Sequence, residues 1–444
     1  MAVTHQGPKG TRDFYPDLMA IRRHIEGAWR KASVDCGFDE IEGPTYEHLS
    51  LYTAKSGPGI VNELFSFRRA GGDDDYALRP EFTPTLARMV AAKAGSLPLP
   101  VKWFAIPVHF RAERQQRGRL REFVQWNVDL LGVEGAAADA EVIACAVLAL
   151  ERLGLKPTDV RVRLSHRGSV GAALAAAGVP ADRAGDAFEL LDRRDKLEPA
   201  EFERRAAALG LTPEARARFE SIAAAKLPVD TPGATLAARL GVPESALEPA
   251  IALAERLRAM DLAPWCEWDF GIVRGLAYYT GTVFEVHEAS GSERAVAGGG
   301  RYDGLVELFG GPKMGAMGFG MGDVVLGLVL GDRDLLPKDA LALLPRPDAF
   351  LISDGSEAAE RAMPHLLMQM RRAGLHARSN WKATRNVGKL LGDAAKARAR
   401  FAVILGGELA EGAVMVKDLD GGTQQKVALA AAAAHIVAAP RTGS

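Results

Sequence analysis

Apolar and polar residues alternate most sharply between positions 123 and 130. At the two-residue period of a strand, Phe123, Gln125, Asn127 and Asp129 share one face, and Val124, Trp126, Val128 and Leu130 the other. The second face is core material. The first carries an aromatic ring, two amides and a carboxylate, a costly set to bury against hydrocarbon and one well suited to a polar ligand. Helical spacing predicts a helix over 17–34, carried by Leu18, Ile21, Ile25, Ala28 and Trp29 and ended by Gly37. A second is predicted over 137–153, closed by Gly154. The segment 38–49 reads as extended, with Pro44 suited to a strand edge or entry. Residues 59–70 and 76–92 predict a strand–turn region, turning at 71–75 and leading into a helix, and 100–132 read as a long antiparallel hairpin.

From about 169 to 261 alanine and charged residues recur at periods of three to four, predicting a helical module placed as an insertion. Strand-like sequence returns at 265–286, glycine-rich sequence at 298–322 and a helix near 324–330. A proline-containing linker at 343–348 marks a boundary. Beyond it, strands at 349–353, 402–406 and 413–419 alternate with helices at 356–374, 385–398 and 427–438, which predicts an α/β domain with a mostly parallel sheet. No internal repeat is present.

Length and composition narrow the class. A chain of 444 residues suggests about three domains. Hydrophobic content of 48% with 25% charged residues is ordinary for a soluble globular protein. A net charge of −1 argues against a uniformly basic nucleic-acid coat while leaving room for local basic patches. Cys36, Cys145 and Cys266 stand far apart, against a disulfide framework or a structural zinc site and in keeping with a reducing compartment. With no signal-like apolar core near the start and no apolar run approaching ~18 residues, a cytoplasmic location is expected.

Candidate chemistry concentrates in a few segments. Directly before the alternating strand, Arg111, Arg114, Arg117, Arg119 and Arg121 are interleaved with Glu113 and Glu122, a guanidinium cluster fit for phosphates. Glu81 and Thr83 share a face if extended, with Arg79 beside them; they suit a ligand ammonium group or, equally, a strand end held by structural hydrogen bonds. In RGLAYYTGTVFEV at 274–286, Tyr278 and Tyr279 point to opposite faces if extended, so only one faces a site. GGGRYDGLVELFGG at 298–311 combines glycines that allow close approach to the main chain with Arg301, Tyr302 and Asp303. There is no P-loop, no dinucleotide fingerprint, no HExxH and no GxSxG elbow. What remains suits phosphoryl or nucleotidyl transfer by positioning and charge stabilisation.

Taken together the chain resembles the class II aminoacyl-tRNA synthetases, and among them the histidyl-tRNA synthetase family. GTRDFYP at 10–16 matches the family's N-terminal signature, and the first helix with the Pro44 strand resembles the first class motif, which builds a dimer interface. FRAERQQRGRLREF at 110–123 matches the second motif, RGLAYYTGTVFE at 274–285 the signature peculiar to histidine enzymes, and GGGRYDGL at 298–305 the family. The resemblance implies an α+β fold: an antiparallel-sheet catalytic domain at 1–168 and 262–335, a helical insertion at 169–261, and a C-terminal α/β anticodon-binding domain at 346–444. It also implies a homodimer acting on ATP with Mg²⁺, L-histidine and tRNA(His), with no structural metal and no membrane. Arg111 and Arg119 would hold phosphates, Glu113 the adenine edge, Phe123 the adenine ring, and Arg274 the α-phosphate from the opposite side. Glu81, Thr83 and Gln125 would hold the histidine amino group, and Asp129, Tyr279 and Tyr302 would select the imidazole, with Tyr278 counted in the same pocket. Arg111, Arg274 and Gln125 would be catalytic.

One departure stands out. The third class motif ends in Gly-x-Glu-Arg, and here the run is Gly322-Asp323-Val324-Val325. A valine stands where an arginine covers ATP, and the expectation is that another arginine, Arg301 or Arg114, takes its place. A non-catalytic, histidine-sensing relative such as the regulatory subunit of ATP phosphoribosyltransferase is the alternative. It is favoured by Val325 and disfavoured by the retained Arg111, Arg119 and Arg274 and by the C-terminal domain. A binding-only RNA module fits less well, because the basic residues gather in one loop.

Overall fold

The computed structural model describes residues 5–56, 58–194, 197–273, 278–291, 293–381 and 386–440. It divides into two compact units, residues 1–338 and 339–444.

The first unit is built on a ten-stranded sheet. Its centre is antiparallel: strand Glu122–Leu131 lies between Val101–Ala105 and Ala316–Gly322, followed by Ala297–Arg301, Thr282–Glu288 and Val160–His166. Both flanks add a parallel pairing, Asp39–Glu40 on one side and Cys266–Asp269 on the other. The alternation at 122–131 sorts the strand as its pattern demands. Val124, Trp126 and Val128 are at most 1% exposed and enter the core. Trp126 stacks on Trp29 of helix Pro16–Asp35 with centroids 5.9 Å apart, and its indole N–H donates to Ser33 Oγ at 2.9 Å. That helix starts with Pro16 in its first turn, where a missing N–H costs nothing, and stops at Gly37, whose φ of +72° suits a residue without a Cβ. Helix Ala136–Arg152 covers the same side with a row of fully buried aliphatic residues.

The hairpin has one interruption. Val101–Ala105 and Val108–Phe110 both pair with Glu122–Leu131, and the arginine loop joins them at 111–121. The helical stretch is not wholly helical: Lys226–Pro228 returns to pair with Cys266–Asp269. Its apolar residues, Phe188, Phe219 and Leu253 among them, belong to the same continuous core as Trp29 and Trp126.

In the second unit five strands run in the order Ala377–Ser379, Ala349–Ser353, Phe401–Leu405, Ala413–Asp418, Gln424–Ala428. Two pairings are parallel and two antiparallel, which corrects the expectation of a mostly parallel sheet. The expected helix at 427–438 is shorter, Ala432–Ala438, because Gln424–Ala428 is an edge strand. Among the described residues no helix is long and apolar enough to cross a membrane.

Candidate functional site

A cavity of about 680 Å³ opens on the face of Glu122–Leu131 that looks away from the tryptophan core. Phe123, Gln125 and Asn127 line it in strand order. Asp129 lies next along that face, buried, and accepts a 2.5 Å hydrogen bond from the Tyr302 hydroxyl. Burial pushes the Asp129 carboxyl up to about 7, against the pull of that bond. The facing strand, Ala316–Gly322, puts glycines at 318, 320 and 322 on the cavity wall. A Cβ on Gly318 would stand 2.0 Å from Asp129 Oδ1, and one on Gly320 would stand 2.7 Å from the Gln125 amide. The space for Asp129 and Gln125 exists because those residues are glycine.

Phe123 is set as a platform. His109, opposite it in the ladder, stacks on its ring at 5.6 Å, and the Arg111 guanidinium lies 5.0 Å from its centroid. Burial, with Arg111 and Arg79 nearby, holds His109 well below its ordinary pKa, so it stays neutral and Nδ1–H donates to Pro107 O. Arg111 is anchored by Nε to Pro80 O at 3.1 Å.

The arginine loop is pinned at its base and tip. Arg111 N donates to Arg121 O, Ala112 N to Glu63 O, and Arg121 N to Gly10 O, each at 2.9 Å. Gly10 must be glycine here, since a Cβ would meet Arg121 Cγ at 2.9 Å on a backbone at φ +87°. The GTRDFYP signature is thus a buttress. Its Arg12 pairs with Asp323 at 2.6 Å, and Asp323 also accepts from Val124 N at 2.9 Å. At the tip Gln116 and Arg119 bridge across Gly118. Arg119 lines the cavity and pairs with Glu113 at 2.6 Å; Glu113 itself is not part of the cavity wall.

On the far side Glu81 and Thr83 both line the cavity, but the extended geometry expected of them is not found. Thr83 is the first residue of helix Thr83–Lys93, because Pro84 fits a helix's first turn. Glu81 accepts from Lys55 Nζ at 2.5 Å, and that ammonium lies 3.9 Å from the Tyr278 ring centroid. Tyr278 and Tyr279 do not take opposite faces: both line the cavity, rings 4.5 Å apart, because the chain is not a strand until Thr282. Arg274 lies outside the described residues.

Neither arginine expected to replace the missing one lines the cavity. Arg301 is buried and gives Asp139 two hydrogen bonds, at 2.6 and 3.1 Å, and Asp303 another at 3.0 Å. Arg114 is exposed and not on the cavity wall. Three polar or charged wall residues escaped the sequence reading: Asn127, visible in the alternation but given no role; His287, 2.6 Å from Glu285; and Arg294. Lys55, behind Glu81, escaped it too, and a single lysine in a short helix carries no signal of that position. Among the described residues no cluster of His, Cys, Asp and Glu is placed to hold a metal.

Comparisons with known proteins bear on the family and the fold. A family model described as Histidyl-tRNA synthetase matches residues 10–322, and one described as Anticodon binding domain matches 350–438. The chain is similar to the histidine–tRNA ligase of Opitutus terrae, 39% identical over 434 residues and covering 96% of each protein. Among solved structures it is similar to histidyl-tRNA synthetase from Nostoc sp. PCC 7120, with TM-score 0.76 at 24% identity over 98% of this chain and 99% of that one. It is also similar to an ATP phosphoribosyltransferase regulatory subunit/histidyl-tRNA synthetase from Bacillus halodurans C, with TM-score 0.71 at 24% identity over 88% and 97%. At that identity the likeness speaks to the fold.

Proposed function

The chain belongs to the histidyl-tRNA synthetase family, and from that premise we propose how its residues divide the work of ligating histidine to tRNA(His). The reaction has two steps. The histidine carboxylate attacks the α-phosphorus of ATP and pyrophosphate leaves; then the 3′-terminal ribose hydroxyl of tRNA attacks the adenylate carbonyl and AMP leaves.

ATP enters as its Mg²⁺ complex, and the ion offsets phosphate charge. Phe123, backed by neutral His109, is the adenine platform, and Glu113 takes the adenine edge once Arg119 turns to the phosphates. Arg111, already anchored to Pro80 O, stabilises charge at the α-phosphate as the oxygen charge develops, and Arg274 is assigned the opposite side. Glu81, Thr83 and Gln125 hold the histidine ammonium; the Lys55 ammonium 2.5 Å from Glu81 marks the attraction of that carboxylate for such a group. Asp129 and Tyr302, with Tyr279 and Tyr278 beside them, take the imidazole N–H. A buried carboxylate left unpaired is expensive, so side chains that cannot donate are rejected by several powers of ten. The observation that carries this reading is the convergence, on one glycine-walled cavity, of Phe123 and Gln125 in strand order beside Arg111 and Arg119, with Tyr302 on the wall and its partner, the buried Asp129 carboxylate, next along the strand.

The insertion at 169–261 grips the acceptor arm, the C-terminal unit reads the anticodon, and the working form is a cytoplasmic homodimer. A non-catalytic histidine sensor explains Val325 but gives no use to the arginines of the loop. The test is histidine-dependent ATP–pyrophosphate exchange followed by charging of tRNA. Exchange and charging by the purified protein are expected, and folded protein with no exchange would overturn the enzyme reading.

A further inference from the structure

Val325 leaves a cationic position of the nucleotide site unfilled, and the geometry around it points to a replacement. Three arginines line the cavity among the described residues: Arg111, Arg119 and Arg294. Arg111 is tied to the Phe123 side, and Arg119 is paired with Glu113. Arg294 stands at the other wall, on the segment entering strand Ala297–Arg301. A methyl group on Gly118 would lie 3.2 Å from Val325 Cγ2 and 3.8 Å from Arg294 Cδ, so both side chains flank the same loop tip. A longer side chain at 325 would contend with that tip for the space; valine leaves it to Arg294.

Two contacts hold Arg294 in place. Its Nη2 donates to Gln116 Oε1 at 2.9 Å. The preceding residue, Glu293, has its carboxylate 5% exposed and pairs with Arg117 Nη2 at 2.5 Å. The arginine loop is thereby joined to the 293–294 segment across about half the first unit's sequence, and Arg294 is held on the cavity wall beside the same loop tip as Val325.

We propose that Arg294 is an ATP-binding residue that takes the place of the third-motif arginine, closing on the nucleotide's phosphates from the Val325 side. The inference rests on the histidine-activation reading above. A guanidinium fork suits this task because two parallel charge-assisted bonds fix a phosphate's orientation as well as its charge.

The experiment compares the parent with Arg294→Ala, Arg294→Lys and the double variant Arg294→Ala/Val325→Arg. It measures KM for ATP and for histidine in pyrophosphate exchange, and the dissociation constant of Mg-ATP by calorimetry, which requires no turnover. Arg294→Ala is expected to raise both ATP constants about tenfold while the histidine KM moves less than about twofold. Lysine, keeping charge without the fork, should recover part of the loss, and the double variant most of it. ATP constants for Arg294→Ala within about twofold of the parent would overturn the proposal, as would equal losses for ATP and histidine, the mark of a collapsed loop. If the double variant fails to fold, the Ala and Lys variants still decide. A parent that binds Mg-ATP but exchanges no pyrophosphate would refute the ligase reading, while calorimetry of the variants would still judge Arg294.

Discussion

The two middle strands of the catalytic sheet build the site by opposite means. Glu122–Leu131 contributes side chains: a ring and two amides on the cavity wall, and a buried carboxylate that accepts from the wall residue Tyr302. Its neighbour Ala316–Gly322 contributes what its residues lack. Gly318 and Gly320 face Asp129 and Gln125 with hydrogen where any other residue would put carbon. Close packing makes the two contributions equal in importance, since interiors have no spare volume into which a displaced side chain can move. The shape of this cavity belongs as much to missing atoms as to present ones.

Adding one of those missing atoms should give the largest effect. Gly318→Ala places a methyl 2.0 Å from Asp129 Oδ1, closer than any real contact, so the carboxylate must leave its position and its Tyr302 hydrogen bond. We expect kcat/KM for histidine to fall at least about a hundredfold, with the ATP dissociation constant changed by less than about threefold. Gly327→Ala, on helix Asp323–Asp332 where a Cβ meets nothing within 4 Å, is the control and should be silent. If Gly318→Ala activates histidine normally, the two strands are not a matched pair.

How much of this was legible in sequence follows the same division. The side-chain strand was readable because alternation is enforced by the backbone: once Val124, Trp126 and Val128 are apolar, Phe123, Gln125, Asn127 and Asp129 must share the other face. The glycine strand was readable only as permission for close approach; which glycine faces which side chain depends on a register between residues about 190 apart in the chain. Tyr278 and Tyr279 were misread because alternation was applied where the backbone is not extended. Arg301 looked available because its partner Asp139 lies 162 residues away on helix Ala136–Arg152. In the second unit Gln424–Ala428 was missed because an edge strand with little buried surface carries no apolar rhythm, and the alanines after it favour a helix.

A smaller change sharpens the side-chain half alone. Tyr302→Phe keeps the ring, at 1% exposure, and removes the hydroxyl that holds Asp129's charged form. That bond lowers the carboxyl's pKa, so its loss should move the group further above about 7. Near neutral pH a larger fraction of Asp129 is then protonated and unable to accept from imidazole. Histidine KM at pH 7 should rise about tenfold, and the pH at which it levels off should shift upward. A KM increase with no shift in the pH profile would make Tyr302 a packing residue only.

The smallest effect should be on folding, and it runs opposite to the effect on activity. Asp129's folded value of about 7 lies above the roughly 3.9 of an unfolded aspartate, so between those values the native chain holds a proton that the unfolded chain has lost. The favourable contribution is complete below about pH 4 and is lost as pH rises through about 7, because ionising a buried carboxylate without its substrate is costly. Asp129→Asn removes the titration while its amide oxygen still accepts from Tyr302. In histidine-free thermal melts the variant should gain on the parent by on the order of 2 kcal/mol between pH 5 and pH 8, even as it fails to activate histidine. A parent that is as stable at pH 8 as at pH 5, relative to the variant, would mean that Asp129 is already ionised and compensated in the empty site. The carboxylate would then select histidine by geometry and not through the cost of its burial.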